Sequence, residues 1–157
     1  MQRQAVDFRL DDENFWMAVL ACGHTQHVRH QPPFVERPWT QSESGRASML
    51  GTEFDCLKCV RLEVPDGFDE YSATPWFDEQ TVPAGLRADH STKRGVWGRI
   101  EVTDGALDYE VTSPFAYKTQ LGAGHEAWIP PEAVHHVTPV GTVRFRVHFL
   151  KQTPART

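Results

Sequence analysis

Between Cys22 and His30 the chain places one thiol and three imidazoles within nine residues, Cys22-Gly-His-Thr-Gln-His-Val-Arg-His30. The two remaining cysteines form a CxxC pair, Cys56 and Cys59, so one site can use all three thiols. Zn²⁺ in closed structural sites takes four tetrahedral nitrogen or sulfur ligands, and two closely spaced pairs are the usual supply. Cys22, His24, Cys56 and Cys59 are the expected set. The Cys-x-His spacing is tighter than the common Cys-x-x-Cys, which leaves His27 and His30 as substitutes for His24. A full set leaves no coordination position open, so the expected role is structural rather than catalytic. A redox CxxC is the alternative chemistry, disfavoured because no βαβ pattern surrounds the pair. Free thiols and surface histidines are the plain alternative. Against it stands the scarcity of large apolar side chains in the first sixty residues, which leaves that segment in need of a staple.

Composition agrees with a metal site better than with a disulfide framework. Three cysteines are an odd number, and a CxxC in a reducing compartment more often binds metal or does redox chemistry. No run approaches the ~18 apolar residues a membrane span needs. The N-terminus is polar and acidic where a signal peptide needs an apolar core, so the expectation is a soluble, cytoplasmic protein. Residues 1–62 carry seven Lys/Arg and eight Asp/Glu, and the remainder carries nine and thirteen. Neither part offers the basic footprint that phosphate contacts demand, which argues against nucleic acid as a partner.

The elements that must position these residues can be read in order. Residues 8–15 read as a strand end and a polar turn, and 15–22 as a second strand that delivers Cys22 before a bend at Gly23. Pro32, Pro33 and Pro38 make the next segment extended and irregular. Thr40-Gln-Ser-Glu43 has capping-box spacing, which predicts a short helix over 42–50 that Gly45 weakens. A composition shift near residue 62 predicts two domains, 1–62 and 63–157, with the core of the second at 71–150. There the pattern changes to strand-like runs at 95–102, 107–111, 127–129, 136–139 and 143–150. Thr103-Asp-Gly105 reads as a hairpin turn, and Gly122-Ala-Gly124 and Pro139-Val-Gly141 as further strand ends. The expected fold class is mainly β, a sandwich or barrel preceded by a small α+β module.

Two resemblances cover most of the chain. Residues 7–60 resemble a small uncharacterised bacterial domain with the pattern CGHxQHxRHxPP, RPW, GRxxxLGT and CxxC, here Cys22–Pro33, Arg37-Pro-Trp39, Gly45–Thr52 and Cys56–Cys59. That resemblance brings no activity with it. Ile100-Glu-Val-Thr-Asp-Gly-Ala-Leu-Asp-Tyr109 is similar to the close of the first cupin motif, and Trp128-Ile-Pro-Pro-Glu-Ala-Val-His-His-Val137 to the second. More closely, residues 71–150 resemble the TehB/YeaR-like cupin family through Thr74–Val102, Ile129–His135 and Phe145–Phe149. The resemblance implies a C-terminal double-stranded β-helix, or jelly roll. Family members occur alone and fused ahead of the tellurite-resistance methyltransferase. No glycine-rich nucleotide-binding βα unit is present here, so methylation by this chain alone is not expected.

Cupins commonly hold a metal with histidines of both motifs, and this chain departs from that pattern. Counting back from Gly105 puts Gly98 where the first motif has its glutamate, and Lys93 or Arg94 where it has its second histidine. His90 survives near the first position, and His135 matches the second-motif ligand. On the last strand, alternation puts Val143, Phe145, Val147 and Phe149 on one face and Arg144, Arg146 and His148 on the other. His90, His135 and His148 are the expected set for a divalent Zn, Fe or Ni ion with open positions. Arg99 and Arg146, if inward, would bind a small oxyanion or carboxylate; if outward, they are solubilising charges.

The expected function is a small-ligand-binding metal cupin with a zinc-stapled N-terminal module, in tellurite, toxic-anion or stress response on the resemblance. The alternatives are a metal-dependent oxygenase or isomerase, with Glu132 and Glu101 as the nearest acids or bases, and a protein-interaction module using Trp39 and Phe34. Homodimerisation is expected on cupin precedent.

Overall fold

Asp11 closes the first hairpin. Its Oδ1 accepts the backbone N–H groups of Glu13 and Phe15 at 2.8 and 2.9 Å, the local bonding that makes aspartate a turn former. On either side run β1 (Gln2–Leu10) and β2 (Trp16–Leu20), antiparallel with Leu10 opposite Trp16. With β3 (Thr25–His27) and β4 (Glu53–Asp55) they form a four-stranded sheet in the order β3-β2-β1-β4. A 3-10 turn (Pro38–Gln41) leads into α1 (Glu43–Ser48), and α2 (Leu57–Val60) follows β4. The structure is a computed structural model that describes residues 1–154, and its contacts divide into two units, Met1–Leu57 and the chain from Lys58 onward.

Two local expectations in the first unit need correction. The helix forms, but its N-cap is Ser42, whose side chain accepts the Gly45 N–H at 3.0 Å. Thr40 belongs to the 3-10 turn instead, where its hydroxyl donates to the Arg37 carbonyl. Gly45 is a requirement rather than a weakness, because a Cβ there would lie 2.3 Å from the Trp39 carbonyl oxygen.

The second unit contains β5 (Phe68–Ala73), β6 (Phe77–Asp78), α3 (Ala84–Arg87), β7 (Trp97–Ser113), β8 (Tyr117–Gly122), β9 (Glu126–Ile129) and β10 (Val134–Gln152). They make a curled six-stranded sheet whose backbone is β5-β10-β7-β8, with β6 on β10 and β9 on β7. The mainly β expectation is met. β7 and β10 pair from Val134 opposite Ser113 to Leu150 opposite Trp97. Trp97, Ile100, Leu107, Tyr109 and Phe145 are fully buried, each aliphatic or aromatic side chain contributing about 1.5–3 kcal/mol on burial.

The expected turn at Thr103–Gly105 and strand end at Pro139–Gly141 are not chain reversals. Each is a bend inside a long strand. Between the pairs Pro139–Leu107 and Val143–Gly105, β10 advances four residues while β7 advances two, a bulge that turns the two strands together. Gly105 makes it feasible, with φ of 76° and a Cβ position only 1.8 Å from the Thr142 carbonyl oxygen. Among the described residues no helix is long and apolar enough to cross a membrane.

Gly105→Ala should therefore destabilise the protein by about 2 kcal/mol or more, through left-handed backbone and steric overlap together. Gly124→Ala, at φ of 83° but with nothing within 4 Å, should cost about 1 kcal/mol. Denaturant midpoints of the two variants check the difference.

Candidate functional site

The turn after β2 sets the first half of the cysteine–histidine cluster. Gly23, at φ of 94°, donates its N–H to Leu20 O, and Leu20 N–H donates to His24 O. Cys22 thus lies two residues past the strand, and its Sγ comes to 3.3 Å from His24 Nδ1. Cys56 follows β4, anchored by its N–H on Met1 O, and Cys59 lies in α2. Cys56 Sγ is 3.3 Å from His24 Nδ1 and 3.9 Å from Cys22 Sγ. All four donor atoms lie within 4.8 Å of one another and all four residues are buried.

These separations fit a tetrahedral ion. Bond lengths of about 2.3 Å to sulfur and about 2.0 Å to nitrogen place sulfurs about 3.8 Å apart and sulfur about 3.5 Å from nitrogen. The three cysteines form no disulfide with one another, and no other group of three or more candidate ligands occurs among the described residues. The cluster can hold a metal ion such as zinc, with His24 ligating through Nδ1.

His27 and His30 are not substitutes for His24. His27 Nε2 meets Asp11 Oδ2 at 2.8 Å and so braces the hairpin turn. Asp11 is held below the ordinary carboxylate value, chiefly by the backbone N–H of Phe15 and further by His27. His30 Nδ1 accepts the Arg37 N–H at 2.9 Å, fixing the entry to the 3-10 turn. Neither role was legible in spacing, because one partner is a distant turn residue and the other a backbone amide.

The second unit holds a cavity of about 330 Å³, inside the size range of small-molecule sites. His90 and His135 share its wall, paired across a two-bond antiparallel bridge with N···O distances of 3.0 and 2.9 Å. Opposite residues in such a bridge project to the same face, and the ring centroids are 4.2 Å apart. His90 Nδ1 lies 2.9 Å from Ala88 O and His135 Nδ1 2.7 Å from Ala133 O. A carbonyl only accepts, so each Nδ1 carries the proton and each Nε2 the lone pair. Burial pushes the His135 pKa down to about 4, which keeps that ring neutral at physiological pH.

His148 does not join them. It lies on the opposite face of β10 from Val147 and Phe149, which line the cavity. Its Nδ1 meets Glu70 Oε1 at 2.6 Å and its Nε2 meets Glu101 Oε2 at 2.5 Å, so neither nitrogen is left for a metal. Arg99 and Arg146 are on this outer face too. Arg99 pairs with Glu126 at 3.0 Å and Glu70 at 3.5 Å, while Arg146 reaches Glu101 at 3.4 Å and lies over the Trp76 ring. Both guanidiniums meet carboxylates on this outer face, and Glu101 is engaged there by His148 and Arg146. Where the first cupin motif has its glutamate, Gly98 packs closely on Ile129, and a Cβ there would be 3.0 Å from Ile129 Cδ1, so that side chain would have to shift. Lys93 and Thr74 line the cavity instead, unpredicted because they stand outside the motif's ligand types.

Residues 6–63 match the family described as Protein of unknown function (DUF3565), and residues 72–147 match the TehB-like domain. The first match contains the whole cysteine–histidine cluster and the second contains His90 and His135. Two relatives, each named Uncharacterized protein YeaR and from Escherichia coli strains K12 and O157:H7, are 31% identical over 84 residues. The alignment covers 48% of this chain and 71% of each relative. The crystal structure of a protein from Escherichia coli (strain K12) matches with a TM-score of 0.54 at 26% identity, over 61% of this chain and 93% of that one. The crystal structure of TehB from Haemophilus influenzae matches with a TM-score of 0.52 at 20% identity, over 55% of this chain but 32% of TehB, a likeness of fold.

Cys56→Ser should lower bound zinc by one equivalent per chain and unfold the first unit at lower temperature, because binding energy here is folding energy. Elemental analysis and thermal unfolding check both. The outer-face pair gives a pH prediction. His148 hydrogen bonds hold Glu70 and Glu101 below the ordinary value of 4.5. Their stabilisation is full above that value and is lost as pH falls through their lower folded values. His148→Gln should melt a few degrees below wild type at neutral pH, with the gap closing below about pH 4. Melting curves across pH test this.

Proposed function

The chain belongs to the YeaR family through its TehB-like domain, and from that premise we propose that its second unit is a cupin, a double-stranded β-helix, binding a small ligand at a divalent metal held by His90 and His135. One observation carries the reading: two imidazoles on one cavity wall, each with Nδ1–H donated to a carbonyl, each presenting an Nε2 lone pair. Metal-binding histidines are oriented in this way by hydrogen bonds from the other ring nitrogen. Neutral imidazoles suit Zn, Fe or Ni, and two protein ligands leave coordination positions for a ligand atom. When bound, the ion would supply Lewis acidity to a ligand oxygen. Lys93 contributes a cation at the same cavity, while Ile100, Ile129, Val147 and Phe149 make most of its wall apolar. That lining favours a small carboxylate or oxyanion with an apolar body. The cysteine–histidine cluster is then a structural zinc site, closed to chemistry. A place in tellurite, toxic-anion or stress response rests on the family name alone.

Metal reconstitution of wild type, His90→Ala and His135→Ala tests the reading. Wild type should take two divalent ions per chain, and each variant should keep the cluster ion and lose the other. Cobalt spectra separate the two sites, since thiolate charge-transfer bands belong to the cysteine cluster. A wild type that saturates at one ion, with spectra identical to those of both variants, would overturn it.

A further inference from the structure

The first unit contains a concave site that the cysteine–histidine cluster does not use. A pocket of about 230 Å³ opens among the end of the first hairpin, the segment after β3 and the 3-10 turn. Its wall includes Phe15, Trp16, Arg29, His30, Thr40 and Gln41, and none of the four cluster residues. We propose that this pocket binds a small oxyanion, a carboxylate or a phosphate-type group, through Arg29 and His30.

Donors gather here, and none of the lining residues is a carboxylate. The Arg29 guanidinium lies over the Phe15 ring at 4.2 Å, and its Nε is buried with no hydrogen-bond partner. A guanidinium has only donors, and a buried N–H left unmet carries a desolvation penalty that an oxygen acceptor would relieve. His30 contributes a second donor for a definite reason. Its Nδ1 accepts the Arg37 N–H, so the proton of the neutral ring is on Nε2. Gln41 gives one amide N–H to Thr40 Oγ1 and keeps another.

The surrounding charge has the same sign. Arg46 lies over the Trp16 ring at 3.7 Å and donates to Thr40 O at 2.8 Å, and both of those residues line the pocket. Arg37 donates to Arg29 O. Among the described residues none of Arg29, Arg37 and Arg46 forms an ion pair with a carboxylate. This is not for want of acids, since residues 1–62 carry eight. Asp11 in the adjoining turn is engaged by His27 and two backbone N–H groups. Stacking on Phe15 and Trp16 fixes the planes of two guanidiniums, which reduces the ordering an anion must impose. The proposal also gives a shared purpose to three separated stretches, Arg29-His30, Arg37-Pro-Trp39 and Gly45-Arg46.

Titration of the zinc-loaded full chain with sodium phosphate and with sodium acetate, against sodium chloride at equal ionic strength, tests this by ¹⁵N NMR of the arginine Nε–H groups. The Arg29 Nε–H resonance should shift saturably with at least one oxyanion and not with chloride. Phosphate alone marks a phosphate-type ligand, and acetate alone a carboxylate. Arg29→Gln should weaken the interaction about tenfold or more, read from the His30 ring resonances, while zinc content stays at the wild-type value. If that variant fails to fold, the wild-type Arg29 resonance alone decides. Shifts no larger than those with chloride, or an Arg29→Gln chain that binds as tightly as wild type, would overturn the proposal.

Discussion

Two strands of seventeen and nineteen residues, β7 and β10, pair along nearly their whole length, and the second unit depends on their bending together at Gly105. A sheet this long must curl to bury one face, and the bulge supplies the curl without ending either strand. The four-residue advance of β10 across the bend is even. Odd-numbered residues therefore face the cavity on both sides of it, from His135 and Val137 to Val147 and Phe149. Even-numbered Arg144, Arg146 and His148 stay outside, where Trp76, Glu70 and Glu101 receive them.

This parity explains which parts of the site were legible in the sequence. Alternation already assigned His148 to the arginine face. What the ligand pattern of the cupin resemblance suggested was a third histidine inside, and backbone geometry outweighed it. The thiol–imidazole set was readable for the opposite reason: its ligands come as two short local pairs, so spacing alone nearly determines the geometry. Thr103-Asp-Gly105 could not be read correctly from its residue types. The same left-handed glycine serves a hairpin turn and a bulge, and the choice depends on Thr142, almost forty residues away. Glu70 gave no signal either, because its importance lies in a strand partner at the other end of the unit.

The two units solve the problem of a small core differently. The first has short strands, a six-residue helix and few large buried side chains, so metal ligands such as its Cys22, His24 and Cys56 can supply what packing does not. Its Arg29 and Arg46 are ordered by the aromatic faces of Phe15 and Trp16. The second buries Trp97, Tyr109 and Phe145 along continuous strands and can leave a cavity beside them. Its charges are paired on the outer face, including Arg99 with Glu126 and Arg146 with Glu101.

His90, outside any regular strand, reaches His135 of β10 by a bridge of one residue pair. Two backbone hydrogen bonds, helped by Glu132 N–H on Thr92 O and by Asp89 against His136, keep both imidazoles on one wall. Anything that bridges the rings must hold this seam shut, and by reciprocity whatever opens the seam must release what the rings share. The segment from Ala88 to Thr92 is in that sense a clasp, and opening it would expose the amide protons of His90 and His135 to exchange.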